Sequence, residues 1–355
     1  MKQFRDILLT HAARYPKMQA QDMVKLAYQS EFGGGHLVAD RAGSLLFLQE
    51  EAASLSGPSV SPPFEDIGGG ICRAHLSPLT SSPQALEVLN QLFVASAASV
   101  KGSLPAFEEK LETLTTLCKE GLLPVSPEAL ADYLAGYRAQ GCPPVSHSPA
   151  YREAYRPAYR VIRQAYAPFF PLFCAIAQGL ATGKPLRVGI DGNCGSGKST
   201  LAAMLGELFP CRVVPMDDFF LPLPLRTEAR LAEPGGNIDY DRFQEEILPA
   251  LQAGAPITYR PFDCSVMALR ETVTLPPAPL TVVEGSYSYH PKFGRPYDIK
   301  VFLQASPALQ QARILRRNGP EMLQNFITRW IPMEERYFAA FHIPEHSDFV
   351  ITAEE

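Results

Sequence analysis

Paired cysteines are missing from this chain. Seven cysteines are scattered over 355 residues, an odd number with no two at CxxC spacing. That excludes a disulfide framework or a zinc ribbon and points to a reducing, cytoplasmic setting. Long apolar runs are missing too. The N-terminal MKQFRDILLTHAARYPK breaks its short apolar stretch with charge, which excludes a secretory signal. The most apolar segment, APFFPLFCAIAQGLATG from Ala167, is too short and too interrupted by proline to span a bilayer and reads as a buried helix. Charge is sparse at 19% and sums to −5, so the composition offers no general attraction for nucleic acid or an anionic membrane. No long-period repeat is visible.

A 46% hydrophobic fraction is ample for packed cores, and the length predicts two domains. Up to about residue 145 the pattern predicts a mostly helical domain. MQAQDMVKLAYQSEF and SPQALEVLNQLFVASAASV carry apolar residues at three- and four-residue intervals, and LPAFEEKLETLTTLCKEG and SPEALADYLAGYRAQG do the same before stopping at glycine. SLSGPSVSPPFEDIGGG and GCPPVSHSPA read as loops, and residues 146–185 as a linker with a connecting helix. From 186 to 355 short apolar strands alternate with helices. That pattern predicts an α/β domain with a parallel sheet covered by helices on both faces, whose ligands bind beyond the carboxyl ends of the strands.

Those strand ends hold the chemistry. LRVGID runs into GNCGSGKST, a glycine-rich phosphate loop between a strand and a helix. In it Gly192, Asn193, Cys194, Gly195, Ser196, Gly197, Lys198, Ser199 and Thr200 form a cradle of backbone N–H groups at a helix N-terminus, suited to the phosphates of ATP. Lys198 is placed to reach the β- and γ-phosphates and Ser199 to ligate Mg²⁺. The next strand ends in PMDDFF, where Asp217 or Asp218 can take a proton from an acceptor hydroxyl or help hold the metal. LTVVEG delivers Glu284 to the same edge as a further Mg²⁺ partner. Asn237 and Asp239, in EPGGNIDYDRF, suit a polyhydroxyl acceptor as well as they suit a turn. Tyr259, Arg260 and Phe262 offer an aromatic wall for a base or sugar, and core packing explains the aromatics equally. Arg313, Arg316 and Arg317 share one helix face ahead of an RNGP break. They read either as a hinged lid over the γ-phosphate or as a solvated face.

Together GNCGSGKST, MDDFF, NIDYDRF, ITYRPFDCS, VVEGSY, DIKVFLQASPALQQARILRR and RWIPMEERYF resemble the uridine kinase group of P-loop kinases, across roughly residues 186–355. The resemblance implies that Asp217 is the general base, that Asp239 and Tyr259 bind the acceptor, that Glu284 serves the metal and that Arg313 and Arg317 belong to the lid. Two departures stand out: no histidine follows Tyr259, and the lid is short. The chain is therefore expected to be an ATP- and Mg²⁺-dependent kinase of a small-molecule hydroxyl, with a nucleoside such as uridine the leading acceptor. A sugar, sugar phosphate or pantothenate-like alcohol is the alternative acceptor. An ATP-driven switch acting on the N-terminal domain is the alternative class. No nucleic-acid or membrane partner is expected, and the oligomeric state is open.

Three features of the N-terminal half lie outside this resemblance. SEFGGGHLVAD and FEDIGGGICRAHL each join three glycines to a histidine, His36 and His75, as either an anion nest or a flexible turn. SHSPAYREAYRPAYRVIRQAY repeats Tyr and Arg every four residues around Pro157, predicting a striped helix that either clamps an anion or packs.

Overall fold

Serine with proline close behind it starts helix after helix. Ser82, Ser103, Ser126, Ser148 and Ser306 each accept a backbone N–H from the first turn, with proline at its first or second position. Proline suits that turn because its missing N–H would have had no partner there. The high proline count is thus compatible with a helix-rich chain. The computed structural model describes residues 4–55 and 60–353, and the chain divides into two units, Met1–Cys174 and Ala175–Glu355.

In the first unit α1 (Phe4–Arg14), α2 (Ala20–Phe32) and α3 (Arg41–Ser54) precede a hairpin of β1 (Phe64–Gly68) and β2 (Ile71–His75). A short α4 (Leu76–Leu79), then α5 (Pro83–Ser99), α6 (Leu104–Lys119), α7 (Pro127–Ala139) and α8 (Pro149–Tyr155) lead to β3 (Tyr159–Arg163). The mostly helical expectation holds, with an antiparallel sheet β1-β2-β3 added to it. FEDIGGG, expected as loop, is a strand and its turn: Gly68, Gly69 and Gly70 all take positive φ. A Cβ on Gly69 would lie 2.1 Å from the Ser30 carbonyl oxygen, so only glycine fits. Positions 56–59 of that expected loop lie outside the described residues. The other triple glycine ends α2, with the Gly33 N–H on the Gln29 carbonyl.

The striped helix does not form. Pro157 cannot continue α8, which stops at Tyr155 with Arg156 in the left-handed region, and Tyr159–Arg163 pairs with β2 instead. Of the expected linker 146–185, residues 149–163 therefore build elements of the first unit. The apolar segment after Ala167 becomes α9 (Phe170–Leu180), with Leu172, Phe173 and Ile176 fully buried.

The second unit alternates strand and helix as predicted. Its elements are β4 (Leu186–Gly192), α10 (Lys198–Leu208), β5 (Cys211–Pro215), α11 (Glu228–Ala232), α12 (Tyr240–Glu246) and α13 (Leu248–Ala253). Two small antiparallel pairs follow, β6 (Ile257–Tyr259) with β9 (Val273–Leu275) and β7 (Phe262–Asp263) with β8 (Ala268–Leu269). Then come β10 (Leu280–Glu284), β11 (Ile299–Gln304), α14 (Pro307–Asn325), α15 (Ile331–Phe341) and β12 (Phe349–Thr352). The main sheet, in the order β12-β11-β4-β10-β5, is parallel throughout. β4 is central, and the chain leaves it for β5 by passing over the place that β10 later fills. The strand order switches beside β4, so a crevice opens beyond its carboxyl end.

Candidate active site

Register brings the strand-end carboxylates together. Glu284 pairs with Ile190 on one side and Pro215 on the other. Asp191 therefore stands one residue beyond Glu284's row, and Asp217 two. Between them the loop 192–197 turns into α10. Gly192 has φ +144, and a Cβ there would sit 2.0 Å from the Leu303 carbonyl oxygen, so the loop leaves the sheet where no other residue fits.

The loop is held from all sides. Lys198 Nζ donates to the carbonyls of Gly192 (2.8 Å) and Asn193 (2.9 Å) and lies 3.2 Å from Ser286 Oγ. Glu334, from α15, accepts the Cys194 N–H (2.9 Å) and the Ser286 hydroxyl (2.6 Å). Gln310 donates to Cys194 Sγ (3.1 Å), and the Asn193 side chain accepts the Ala305 N–H (3.3 Å). Arg313 donates to the Gly195 and Ser196 carbonyls at 3.2 and 3.3 Å. Several of the loop's N–H groups are also taken within the protein: Gly192 donates to Asp191, Asn193 to the Leu303 carbonyl (3.1 Å), Cys194 to Glu334 and Ser196 to the Asn193 carbonyl (3.1 Å). Ser196 Oγ is buried without a hydrogen-bond partner, as a donor kept for a phosphate oxygen would be. Thr200 is exposed in the first turn.

Ser199 Oγ donates to Glu284 Oε1 at 3.0 Å. Burial and the nearby negative charge of Asp217 push the Glu284 carboxyl above its usual range, against the Ser199 bond and Lys198. Asp217 keeps surface open to the crevice. The protein packed about its carboxylate nonetheless raises its pKa, against the pull of Lys198 and Arg317. A hydroxyl and two like-charged carboxylates form a hard-oxygen donor set, and a divalent cation such as Mg²⁺ would relieve their repulsion. The residues present therefore fit a magnesium–nucleotide pair: Ser199, Glu284 and Asp217 for the metal, the loop and Lys198 for phosphates.

The acceptor side is less uniform. Tyr259 donates its hydroxyl to Asp218 Oδ2 at 2.8 Å and stacks on Phe219 at 5.4 Å. Asp218 is thus oriented by the tyrosine while Asp217 faces the lysine. Asp239 caps α12 through the Arg242 N–H (3.2 Å) and hydrogen-bonds Phe219 through its own N–H (2.7 Å). Asn237 is buried, and its side-chain oxygen has no partner. Arg260 donates to the Arg270 and Leu269 carbonyls beside the β7–β8 hairpin and is exposed. On α14, Arg313 grips the loop while Arg317, exposed, acts on Asp217. Arg316 is exposed. The helix path breaks at Gly319 (φ 81), where RNGP predicted a hinge.

Asp191, Ser286, Glu334 and Tyr337 were not anticipated. Asp191 is fully buried and accepts from Gly192 N (2.7 Å), Tyr287 N (3.2 Å), Tyr289 N (3.1 Å) and the Tyr337 hydroxyl (2.8 Å). Burial drives its pKa up to about 6, opposed by Lys198 and these hydrogen bonds. A carboxylate ending an apolar strand was the signal for Glu284, and Asp191 carries that same signal. Glu334 and Tyr337 have none, since their partners lie far away in sequence.

No protein-family model matches the chain. Among solved structures it is similar to a possible uridine kinase from Bacillus stearothermophilus, at 21% identity and TM-score 0.39, over 51% of this chain and 98% of that one. It is also similar to a D-glycerate 3-kinase from Cryptococcus neoformans var. grubii, at 16% identity and TM-score 0.34, over 45% and 85%. The strand order, phosphate loop and following helix described above make the second unit a P-loop α/β fold.

Proposed function

We propose that the second unit is an ATP- and Mg²⁺-dependent kinase that phosphorylates a hydroxyl of a small molecule, with a nucleoside the leading acceptor. The observation that carries this reading is the convergence of Lys198, the Ser199–Glu284 pair and Asp217 beyond the end of β4, with the Tyr259–Asp218 pair beside them. A nucleotide-driven switch has no use for that second pair. Magnesium, when bound, neutralises charge on the phosphates. Asp217 takes the proton of the acceptor hydroxyl as it attacks the γ-phosphate. Lys198 and Arg317 offset the charge that builds toward the leaving ADP, and Tyr259, buried beside Phe219, holds the Asp218 carboxylate in place next to Asp217. Cytoplasmic ATP and a reduced thiol set suit this activity. Among the described residues no helix is long and apolar enough to cross a membrane.

The test is phosphate transfer from ATP with Mg²⁺ across nucleosides, sugars, sugar phosphates and pantothenate, reading ADP and phosphorylated product together. Product from one class, abolished by Lys198→Ala, supports the proposal and names the acceptor. ADP release indifferent to every acceptor overturns it in favour of the switch.

A further inference from the structure

Four arginines stand on the acceptor side of the second unit, and three of them are committed to protein groups. Arg242 pairs with Glu246 (2.9 Å), Arg270 pairs with Asp263, and Arg260 spreads over the Arg270 and Leu269 carbonyls. Arg226 differs. Its Nε donates to the Leu221 carbonyl at 2.6 Å, and among the described residues no carboxylate pairs with it. A guanidinium carries five N–H donors, so most of this one's donors have no protein oxygen to bind.

Its place is beside the reacting carboxylates. Arg226 closes the loop that starts at Asp217 and Asp218. β7 packs on the Met216–Phe219 turn that carries those two residues. Phe262 of β7 is buried, and the Arg226 guanidinium lies over its ring at 5.8 Å. On the turn after β7, the exposed Cys264 thiol hydrogen-bonds Arg226 and feels the charge of Asp217. Carbonyl, ring and thiol thus hold a half-buried guanidinium on the rim of the crevice that Asp217 faces. A fork fixed in advance loses little freedom on binding, and its spacing matches the two oxygens of a carboxylate or phosphate.

We propose that the phosphate acceptor carries an oxyanion, a carboxylate or a phosphate, besides the hydroxyl it offers to Asp217, and that Arg226 binds this oxyanion. The proposal rests on the kinase reading above and narrows its acceptor, since a neutral nucleoside leaves Arg226 with nothing to bind. Asp217 and Asp218 repel an anion, so the acceptor's charged end must lie away from them, and Arg226 supplies the cation there. Held at both ends, the acceptor presents one chosen hydroxyl to the γ-phosphate. The transfer step is unchanged: the acceptor oxygen bonds to the γ-phosphorus, the bond to the bridging oxygen breaks, the hydroxyl proton passes to Asp217 and ADP leaves.

Matched acceptors given to the full chain with ATP and Mg²⁺ test this: uridine against uridine monophosphate, ribose against ribose phosphate, glycerol against glycerate, and pantothenol against pantothenate. In the pair that yields product, the anionic member should have a kcat/KM about a hundredfold above its neutral partner. Arg226→Gln should raise the KM for that anion about thirtyfold and leave the KM for ATP as it was, and Arg226→Lys should recover part of the loss. A neutral member preferred in its pair overturns the proposal and leaves the kinase reading standing. An anionic acceptor whose KM ignores Arg226→Gln overturns it as well. ADP release indifferent to every compound removes the kinase reading instead. If no compound yields product, labelling of Cys264 by a maleimide reads the anion site alone, with a non-hydrolysable ATP analogue and Mg²⁺ filling the phosphate loop. Malonate or inorganic phosphate, tried separately, should slow that labelling about fivefold in the wild type and not in Arg226→Gln. Slowing by malonate identifies a carboxylate and slowing by phosphate a phosphate ester. Slowing by neither overturns the proposal.

Discussion

The Ser199 hydroxyl and the Glu284 carboxylate meet at 3.0 Å, joining the first turn of α10 to the end of β10. Removing the carboxylate's charge while keeping its shape separates metal binding from folding. Glu284→Gln should lower ATP-dependent turnover about a hundredfold and raise the Mg²⁺ concentration for half-maximal rate. Unfolding by urea should stay cooperative. A variant with wild-type Mg²⁺ dependence would remove Glu284 from the metal site.

Asp217 and Asp218 are adjacent but differently held, and their variants should differ in kind. Asp217→Asn should cut kcat by about 10²- to 10⁴-fold with KM for the acceptor little changed. Asp218→Asn, which weakens the Tyr259 contact, should act mainly on the acceptor KM. Because burial raises the Asp217 and Glu284 pKa values, both stay protonated to a higher pH than ordinary carboxylates. Turnover should therefore fall on acidification at a pH above the usual carboxylate range, and the kcat–pH profile reads this directly.

Asp191 in the second unit should respond to acid with the opposite sign to His11 and His147 in the first, while His290, lowered to about 4 chiefly by burial, follows the histidines. In the second, Asp191 holds its proton up to about pH 6 when folded, against an ordinary value of 3.8 when unfolded. Its contribution is thus greatest at low pH and is lost as pH rises from about 4 to about 6, by about 3 kcal/mol. In the first, folding lowers His11 and His147 from 6.5 to about 4, chiefly by burial. The unfolded chain binds the extra protons there, so stability falls as pH drops from about 6.5 to about 4, on the order of 3 kcal/mol per histidine. Hydrogen exchange resolved by peptide should show the amides that bond Asp191 gaining protection, and those around His11, His147 and His290 losing it, as pH falls across that window.

Asp191→Asn is not a conservative change. The carboxylate accepts from three backbone N–H groups and one hydroxyl, and an amide would turn an NH₂ toward two of them. The second unit should lose about 1–3 kcal/mol per unsatisfied donor in denaturant unfolding, and nucleotide affinity should fall with it.

How much of this was legible depends on distance along the chain. The phosphate loop, the carboxylates ending β5 and β10, the parallel sheet and the break at Gly319 are local patterns, and the structure places them as the sequence suggested. Asp239 and Arg260 show the limit. Their residue types suit an acceptor, yet one caps α12 and the other is tied beside the β7–β8 hairpin. Local pattern also misread FEDIG, because a strand closed by three glycines looks like a loop until β3 arrives 91 residues after Gly68 to complete its sheet. Asp22 and His147, which meet at 2.9 Å, are 125 residues apart and carried no signal at all.

The partners that shape the phosphate loop are synthesised long after it. Asp191 awaits backbone groups 96 and 98 residues downstream and a hydroxyl 146 residues downstream. A chain still emerging from the ribosome therefore displays the complete GNCGSGKST motif while lacking its scaffold. Competence to hold a nucleotide arrives almost last, once α15 has docked.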